Sequence, residues 1–397
     1  MILSTLSLSF RRWLAVLSLQ FGIALSAFAD SVEIDGLYYE LNTTGRTATL
    51  TYQSTTSSNY SSIQSNLVVP ASVTYNGVSF SVTAIGDAAF ANCTALESIT
   101  IPASVTAIGS TASWDSHTQS GTYLPFYRCT ALKSVVFEDG NSDITLTWHN
   151  YYGASNSAYH RGMFKDCPLE EVYIGRNIKY KQNSRYTFEV YPHAYGYSAF
   201  YNQPKLTKVT IGETVTEILP YLFYQCQQLR ILEIANSALT AIPNYAFNQC
   251  GITELVLPNT VKSIGEYAFA SNTGMTSANL GSSVEEIGNY AFSDCKTLGT
   301  IQLGDALKSI GDYAFSKAGS VINDMTQLSL PGTLESIGQY AFAKSNFPKF
   351  EIPNSVTEIG KYAFSSCPKL VSIKFGSGFK TLSEGALSDC SALKDIQ

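Results

Sequence analysis

The side chains that could carry acid–base or metal chemistry are few and lie far apart in the sequence. The four histidines are His117, His149, His160 and His193. No two of them stand four residues apart, the spacing that puts two imidazoles on one face of a helix for zinc binding. The sequence also lacks the Gly-x-Ser-x-Gly turn of serine hydrolases and a Gly-rich loop that holds phosphate. We therefore predict no enzyme, no metal site and no cofactor.

One acidic segment, residues 139–143, begins like a calcium-binding loop because acidic and amide residues alternate in it. Such a loop needs glycine at its sixth position and glutamate at its twelfth. Here those positions hold Ile144 and Asn150. We therefore interpret the segment as a polar turn.

Eight cysteines share one place in a repeated pattern, three residues after a phenylalanine or, in the last case, a leucine. They are Cys93, Cys129, Cys167, Cys226, Cys250, Cys295, Cys367 and Cys390. Equivalent positions elsewhere hold Gln203, Asn272, Ala318 and Ser345. A position shared by Cys, Ala and Ser indicates a small buried residue, so we predict reduced thiols. A bridge between neighbouring repeats, such as Cys226 to Cys250, is the alternative.

The composition limits the partners. The formal net charge is -6 and only 14% of residues are charged, whereas 25 residues are Tyr and 21 are Phe. Nucleic acids and anionic membranes attract proteins through clustered Lys and Arg. The sequence therefore predicts no nucleic-acid partner.

Residues 1–29 have the features of a secretory signal peptide. Arg11 and Arg12 precede a mainly apolar run, 13–27, and Ala27-Phe28-Ala29 fits a cleavage site with small residues. The run is shorter than the roughly 20 residues that cross a bilayer. We expect cleavage after Ala29, no transmembrane segment in the mature chain, and a protein that is secreted or held at the outer cell surface.

A six-residue motif, Ile-Gly-x-Tyr-Ala-Phe, recurs along the chain. Full copies begin at Ile264, Ile287, Ile310, Ile337 and Ile359, and degenerate copies begin at Ile85, Ile218, Ile242 and Leu382. We call the last residue of the motif the landmark. From Phe200 onward the landmarks are 22 to 27 residues apart, inside the range of roughly 20 to 29 for leucine-rich repeats.

Each landmark is followed by an apolar-x-x-apolar-x-apolar run, as in Leu298, Ile301 and Leu303. The last two apolar residues are two apart, as one face of a strand requires. One coil of this kind cannot bury its apolar side alone. We therefore predict a repeat solenoid over residues 82–397, with a parallel β-sheet on one face and short helical or 3-10 turns opposite.

These motifs closely resemble the BspA-like class of leucine-rich repeats, and the resemblance extends to the Cys three residues after the landmark. The turn after the strand holds Ser or Thr, as at Ser104 and Thr260, where common leucine-rich repeats have Asn. The resemblance implies a secreted or surface-exposed bacterial protein, often adhesive toward host matrix proteins or other bacteria. It does not specify the ligand.

Residues 30–81 do not repeat. Asp35-Gly36 predicts a turn, and Asn76-Gly77 between two apolar runs is a strong hairpin signal. We interpret this segment as an N-terminal β cap that covers the first coil.

Three coils are lengthened, because the landmarks Phe90, Phe126, Phe164 and Phe200 are 36 to 38 residues apart. The predicted insertions span about 110–124, 140–162 and 177–198. Insertions in solenoids form loops on one face, often the binding face. We expect an aromatic, His-bearing patch there; its candidate ligand-binding residues are Trp114, Trp148, His149, Tyr151, Tyr152, Tyr159, His160, Tyr173, Tyr195 and Tyr197. The alternative is that these loops only cover the outside of the solenoid.

The outward side of the predicted sheet is a second candidate surface. Its side chains include Glu97, Ser98, Thr100, Lys133, Glu170, Glu171, Tyr173, Glu233, Glu254, Thr300, Gln302, Lys349 and Lys374. They are mixed in charge and form no dominant stripe, so an ordinary solvated face explains them equally well.

The sequence therefore predicts a surface binding protein, an adhesin-like scaffold whose partner is a host matrix protein, another bacterial surface molecule or a glycan. The alternative is a secreted hydrolase or carbohydrate-processing accessory protein with a site built by the inserted loops. The oligomeric state is not predicted.

Overall fold

The computed structural model describes residues 31–52, 63–109, 124–147, 163–164, 166–181, 198–235, 238–323 and 325–397. These residues form short strands and turns, and none of them forms a helix. The strands are β1 Val32–Ile34, β2 Leu37–Asn42, β3 Thr47–Thr51, β4 Asn66–Val68, β5 Ser72–Tyr75, β6 Val78–Ile85, β7 Ser98–Ile101, β8 Ala107–Ile108, β9 Ser134–Phe137, β10 Ile144–Thr147, β11 Glu171–Ile174, β12 Ile178–Lys181, β13 Lys208–Ile211, β14 Ile231–Ile234, β15 Ala241–Ile242, β16 Glu254–Val256, β17 Ser263–Ile264, β18 Ser277–Asn279, β19 Glu286–Ile287, β20 Thr300–Gln302, β21 Ser309–Ile310, β22 Ser336–Ile337, β23 Lys349–Glu351, β24 Glu358–Ile359, β25 Ser372–Lys374 and β26 Asp395–Ile396.

Within these ranges nothing forms a helix that is long and apolar enough to cross a membrane. The predicted signal peptide, residues 1–29, lies outside the described residues.

Most coils contain a turn around the landmark, a first strand and a second strand of two to four residues; among the described residues, the coils of β13 and β25 lack the second strand and the coil of β22 lacks the first. The first strands pair in parallel in the orders β4-β7-β9-β11-β13-β14, β16-β18-β20 and β23-β25-β26. The second strands pair in parallel as β6-β8-β10-β12 and as β15-β17-β19-β21-β22-β24. The predicted leucine-rich-repeat solenoid is thus confirmed. The row of second strands was not predicted.

The second strands end at the Ile-Gly pair of the motif, and the glycine lets neighbouring coils approach closely. The amide of Gly288 donates to the carbonyl of Ile264 one coil earlier, at 2.7 Å. A Cβ added to Gly288 would lie 2.8 Å from the backbone of Gly265. Because a real Cβ does not come that close to backbone, only glycine fits this position.

The landmark phenylalanines form the core. Their rings stack from coil to coil with centroids 4.9 to 5.6 Å apart. The column is unbroken from Phe90 to Phe364, and every ring in it is fully buried. It passes through the three lengthened coils, so the insertions leave the core intact.

In the turn around each landmark, successive backbone amides donate alternately within their own coil and to the next coil. In one coil the amides of Ala268 and Ala270 bond within the coil, to Gly265 and Tyr267. The amides of Tyr267 and Phe269, which lie between them, donate to the carbonyls of Asn289 and Ala291 in the next coil, both at 2.9 Å. In the described residues this pattern replaces the predicted helical or 3-10 turns, because amides committed to the next coil cannot continue a helix.

The N-terminal segment forms a small β-sheet that joins the row of second strands. Strands β1, β2 and β3 form an antiparallel meander, and β3 continues in parallel onto β6. Asn76 and Gly77 have φ of 50° and 76°, which is the backbone of the expected hairpin turn between β5 and β6. Strand β4 already pairs in parallel with β7.

The position three residues after the landmark is a hydrogen-bond donor site. All eight cysteines are free thiols, seven of them buried. The Sγ of Cys226 donates to the carbonyl of Phe200 one coil earlier, at 3.0 Å, and Asn272 Nδ2 donates in the same way to Phe247 at 2.8 Å. The predicted reduced state agrees with the structure, and several side chains at this position also donate to the preceding coil, although Ala318 fills it without a donor. The buried Gln203 and Asn272 are among these donors.

Arg176 links two of the lengthened coils through hydrogen bonds. Its guanidinium is fully buried and donates to the carbonyls of Ala103 and Pro102, two coils earlier, at 2.6 and 2.8 Å. Gly140, in the coil between, packs closely against the preceding coil, since an added Cβ would lie 3.1 Å from Ala103 Cβ. Attraction to Glu138 offsets part of the cost of burying the charge.

We predict that Arg176→Ala lowers the free energy of unfolding by about 3 kcal/mol, because it leaves a cavity and takes the guanidinium donor from the carbonyl of Ala103, whereas that of Pro102 keeps the Val105 amide. Urea denaturation followed by circular dichroism measures the change. The matched control is Lys205→Ala on an exposed side chain, for which the expected change is below about 0.5 kcal/mol. Equal midpoints for the two variants would contradict the role given to Arg176.

We predict that Cys390 is the thiol that alkylating reagents modify in the native protein. It is only half-buried, and a hydrogen bond from Cys367 lowers its pKa to about 7. Burial raises the pKa of Cys226 and Cys295 to about 12. Because the thiolate is the nucleophile, labelling of Cys390 should accelerate as pH rises through about 7 and exceed that of Cys226 by about tenfold or more. Peptide mapping after iodoacetamide treatment tests this, and equal labelling of the two would refute it.

Candidate functional site

The three insertions leave the solenoid at equivalent points. Each begins shortly after a second strand, β8, β10 or β12, and each ends just before a landmark turn. The strands are neighbours, with Leu146 paired to Ile108 and to Tyr180. The predicted insertions included residues 144–147 and 178–181, but these residues form the second strands β10 and β12 of regular coils. The inserted residues therefore begin after these strands.

Most of the predicted ligand-binding residues lie outside the described part of the chain. They are Trp114, Trp148, His149, Tyr151, Tyr152, Tyr159, His160, Tyr195 and Tyr197. In the sequence, Trp148 and His149 follow the last residue of β10, and Tyr197 precedes Ser198, where the described residues resume. The aromatic patch therefore stays a prediction.

Tyr173 is the one predicted site residue within the described ranges. It lies on the first strand β11, whereas the insertions follow second strands. Its hydroxyl donates to the carboxylate of Asp139, 2.9 Å from each oxygen. Burial and this carboxylate raise the pKa of Tyr173 to about 12, so it stays a neutral donor. Tyr173 thus fixes the polar turn at 139–143.

The outward face of the first strands carries charges of both signs that pair between coils. Lys208 Nζ lies 2.9 Å from Glu233 Oε2, and Lys133 Nζ lies 3.7 Å from Glu97 Oε2. The Lys208 ammonium lowers the pKa of Glu233. Exposed pairs of this kind contribute little to stability, and they form no stripe of one charge.

The structure shows a further surface, which the sequence interpretation missed. The tyrosine of the motif forms a row of seven stacked rings: Tyr221, Tyr245, Tyr267, Tyr290, Tyr313, Tyr340 and Tyr362. Neighbouring centroids are 4.4 to 4.9 Å apart and the planes are within 16°. We call this the tyrosine row. All but the first ring are partly exposed.

The backbone at the tyrosine row does not favour tyrosine. All seven residues have φ between 53° and 59°, the left-handed region that suits Gly, Asn and Asp. The other left-handed position of each turn varies, with Asn92, Asp166 and Asp294 in some coils and Gln225, Lys317 and Lys344 in others. The chain therefore keeps tyrosine seven times at a backbone cost, which stacking of about 0.5–1.5 kcal/mol per pair offsets. This repetition was the sequence signal for the row.

A groove runs beside the tyrosine row. Its floor consists of buried residues directly after the landmarks: Asn248, Ala270, Ser293, Ser316 and Ala343. One wall is the tyrosine row, and the other consists of Gln249, Ser271, Asp294, Lys317 and Lys344. The groove has a volume of about 590 Å³. At one end the floor position is held by the large ring of Tyr224.

The groove presents polar side chains on both walls. Burial, with smaller contributions from Glu266 and adjacent rings, raises the pKa of Tyr245 and Tyr267 to about 12. Asp294 accepts from Lys317 Nζ at 3.1 Å, so the opposing wall carries a paired charge. The groove can donate and accept hydrogen bonds along its length, and it contains no nucleophile paired with a base.

Metal ligands do not cluster in the described ranges, where no group of three His, Cys, Asp or Glu could hold an ion.

Comparisons with known proteins agree on the architecture. The family described as "BspA type Leucine rich repeat region" matches in six copies over residues 61–190, 194–322 and 320–397. No curated protein matches the chain.

Solved structures with the same fold include a leucine-rich repeat protein from Bacteroides ovatus ATCC 8483. It is 20% identical, with 92% of this chain and 94% of that chain covered and a TM-score of 0.52. A leucine rich cell surface protein from Faecalibacterium prausnitzii A2-165 is also 20% identical, with 94% and 96% covered and a TM-score of 0.35. The pneumococcal vaccine antigen PcpA is 18% identical, with 92% and 86% covered and a TM-score of 0.38.

The family match covers most of the sequence, from the last part of the cap to the final coil. It agrees with the stacked landmarks and with the paired strands of successive coils. This chain therefore belongs to the BspA type leucine-rich repeat family.

Proposed function

We propose that the protein is a non-catalytic binding scaffold, secreted or displayed at the bacterial surface, that recognises surface molecules of a host or of other bacteria. The observation that carries the proposal is the unbroken phenylalanine column through the lengthened coils, from Phe90 to Phe200. Because the core does not need the inserted residues, they are available for recognition. Their exits after the paired strands β8, β10 and β12 favour a shared patch.

The chemistry of the described residues supports binding over catalysis. Seven of the eight thiols are buried and donate to or lie beside backbone carbonyls, which suits structural roles. The hydroxyl of Tyr173 donates a hydrogen bond to the carboxylate of Asp139, so the two groups are hydrogen-bond partners. An extended repeat surface suits a large ligand, since successive coils offer similar groups at a constant spacing.

We predict that Trp114→Ala with Trp148→Ala weakens binding by about tenfold or more, because large aromatic side chains dominate interface energy. The probes are immobilised host matrix proteins, bacterial surface fractions and a glycan array, screened with the full chain and then with the double variant. Tyr75→Ala in the cap hairpin is the matched aromatic control. Unchanged binding by a folded double variant would remove these loops from the binding surface.

A hydrolase screen run on the same preparation addresses the alternative function. Turnover that disappears on replacing His149 or His160 with Ala would favour a secreted hydrolase. It would contradict the proposal of a scaffold without catalysis.

We also predict export with cleavage after Ala29, giving a mature protein that starts at Asp30. The charged pair Arg11 and Arg12, the apolar run and the small residues at the cleavage site motivate this. Expression in a bacterium with an intact secretion pathway, followed by mass spectrometry of the released protein, measures the N-terminus. A chain that stays inside the cell and retains residues 1–29 would contradict it.

A further inference from the structure

We propose that the groove beside the tyrosine row binds a linear, uncharged glycan that lies along the solenoid axis, with about one sugar beside each coil. This inference rests on the proposed binding function and names a ligand class and a site for it. The site is separate from the inserted loops, because it belongs to the regular coils from Tyr224 to Lys344.

The first argument is the chemistry of the lining. The groove offers phenol, hydroxyl and amide groups, including Tyr290, Ser293 and Gln249. Such groups both donate and accept hydrogen bonds, as sugar hydroxyls do. The faces of the tyrosine rings are covered by one another, so their exposed edges and hydroxyls are what a ligand meets.

The second argument is that the backbone along the groove is already bonded. The amide of Ser293 donates to Tyr290, and that of Asp294 donates to the carbonyl of Ser316, at 3.0 and 2.9 Å. The carbonyl of Ser293 accepts from Ser271. A peptide strand that adds to a sheet edge needs open amides and carbonyls. The groove therefore binds through side chains.

The third argument is the spacing. The rings repeat every 4.4 to 4.9 Å. An extended peptide advances about 3.3 Å per residue and a polyproline helix about 3.1 Å, so neither keeps register with successive coils. The advance per β-linked pyranose unit is slightly longer than the coil spacing and much nearer to it than the advance per residue of a peptide. Over a few coils a linear glycan therefore places about one sugar beside each tyrosine, with successive sugars presenting alternate faces.

The fourth argument is charge. Asp294 lies 3.1 Å from Lys317 Nζ and 3.8 Å from Lys296 Nζ, so this carboxylate is neutralised within the wall. In the tyrosine wall, burial raises the pKa of Tyr245 and Tyr267 to about 12, so these two phenols are neutral. Lys344 adds a positive charge at one end of the wall, while the rest of the lining is neutral or paired. That longer part suits an uncharged ligand, and the ring of Tyr224 on the floor limits how far it extends.

The test uses the full chain and a length series of linear β-linked glucose, mannose and xylose oligosaccharides, with affinity measured by calorimetry. We expect affinity to rise with chain length up to about five sugars, one for each coil that provides floor and wall. The triple variant Tyr267→Phe, Tyr290→Phe and Tyr313→Phe keeps the rings and removes the hydroxyls. It should lose about tenfold or more in affinity, because three hydrogen bonds disappear.

A second variant blocks the groove and substitutes no residue of the tyrosine row. Ser293→Tyr with Ser316→Tyr raises the floor, and the fold accepts tyrosine at this position because Tyr201 and Tyr224 occupy it in earlier coils. It should abolish oligosaccharide binding at an unchanged melting temperature. Tyr75→Phe in the cap is the control for the hydroxyl deletions and should bind normally.

Three results would overturn the inference. They are no binding of any oligosaccharide, binding that both groove variants retain, and groove-dependent capture of extended peptides in place of sugars. A concentration-dependent dimer that both groove variants abolish would assign the groove to a second copy of the chain and would also overturn it. Surface molecules that still bind the groove variants through the inserted loops leave the proposed scaffold function standing.

Discussion

The structure depends on the burial of each coil's apolar side against the next coil. A single coil has no interior of its own, so its landmark phenylalanine is dry only because another ring lies about 5 Å away on each side. Everything else follows from that contact. Parallel strands in register, glycine at the tight corners and a donor three residues after the landmark all keep neighbouring coils at the distance the rings require. Only positions outside the column can vary, and the long insertions occur there.

The repeat made the solenoid predictable from the sequence. The Ile-Gly corner, the landmark and the two apolar strand residues each recur at a fixed offset, and the structure places each in the expected environment. The second strands were missed because a two-residue strand, such as Ser309–Ile310, has no periodicity of its own. Arg176 was missed because its partners are 73 and 74 residues away and share no pattern with it.

The candidate sites differ in how far residues alone could identify them. The aromatic insertions stood out by composition, but composition does not say how loops fold. The tyrosine row was visible in the motif, yet a recurring aromatic in a solenoid is equally expected in the core. What distinguishes Tyr290 from Phe292 is backbone conformation and exposure, and neither follows from a period. The donor role of the cysteine position likewise required the neighbouring coil's carbonyl.

The alternating turn has an electrical consequence. Its inter-coil amides, for example those of Tyr245, Phe247 and Gln249, all point toward the following coil, and the carbonyls they meet all point back. The peptide dipoles in this part of the molecule therefore add along the axis, whereas those of a sheet largely cancel. The amides at the Ile-Gly corner point the other way, since Gly265 and Gly288 donate to Ile242 and Ile264 in the preceding coil. The landmark side and the corner side of each coil therefore carry opposed rows of peptide dipoles, so their fields are local and largely offset each other over the whole solenoid.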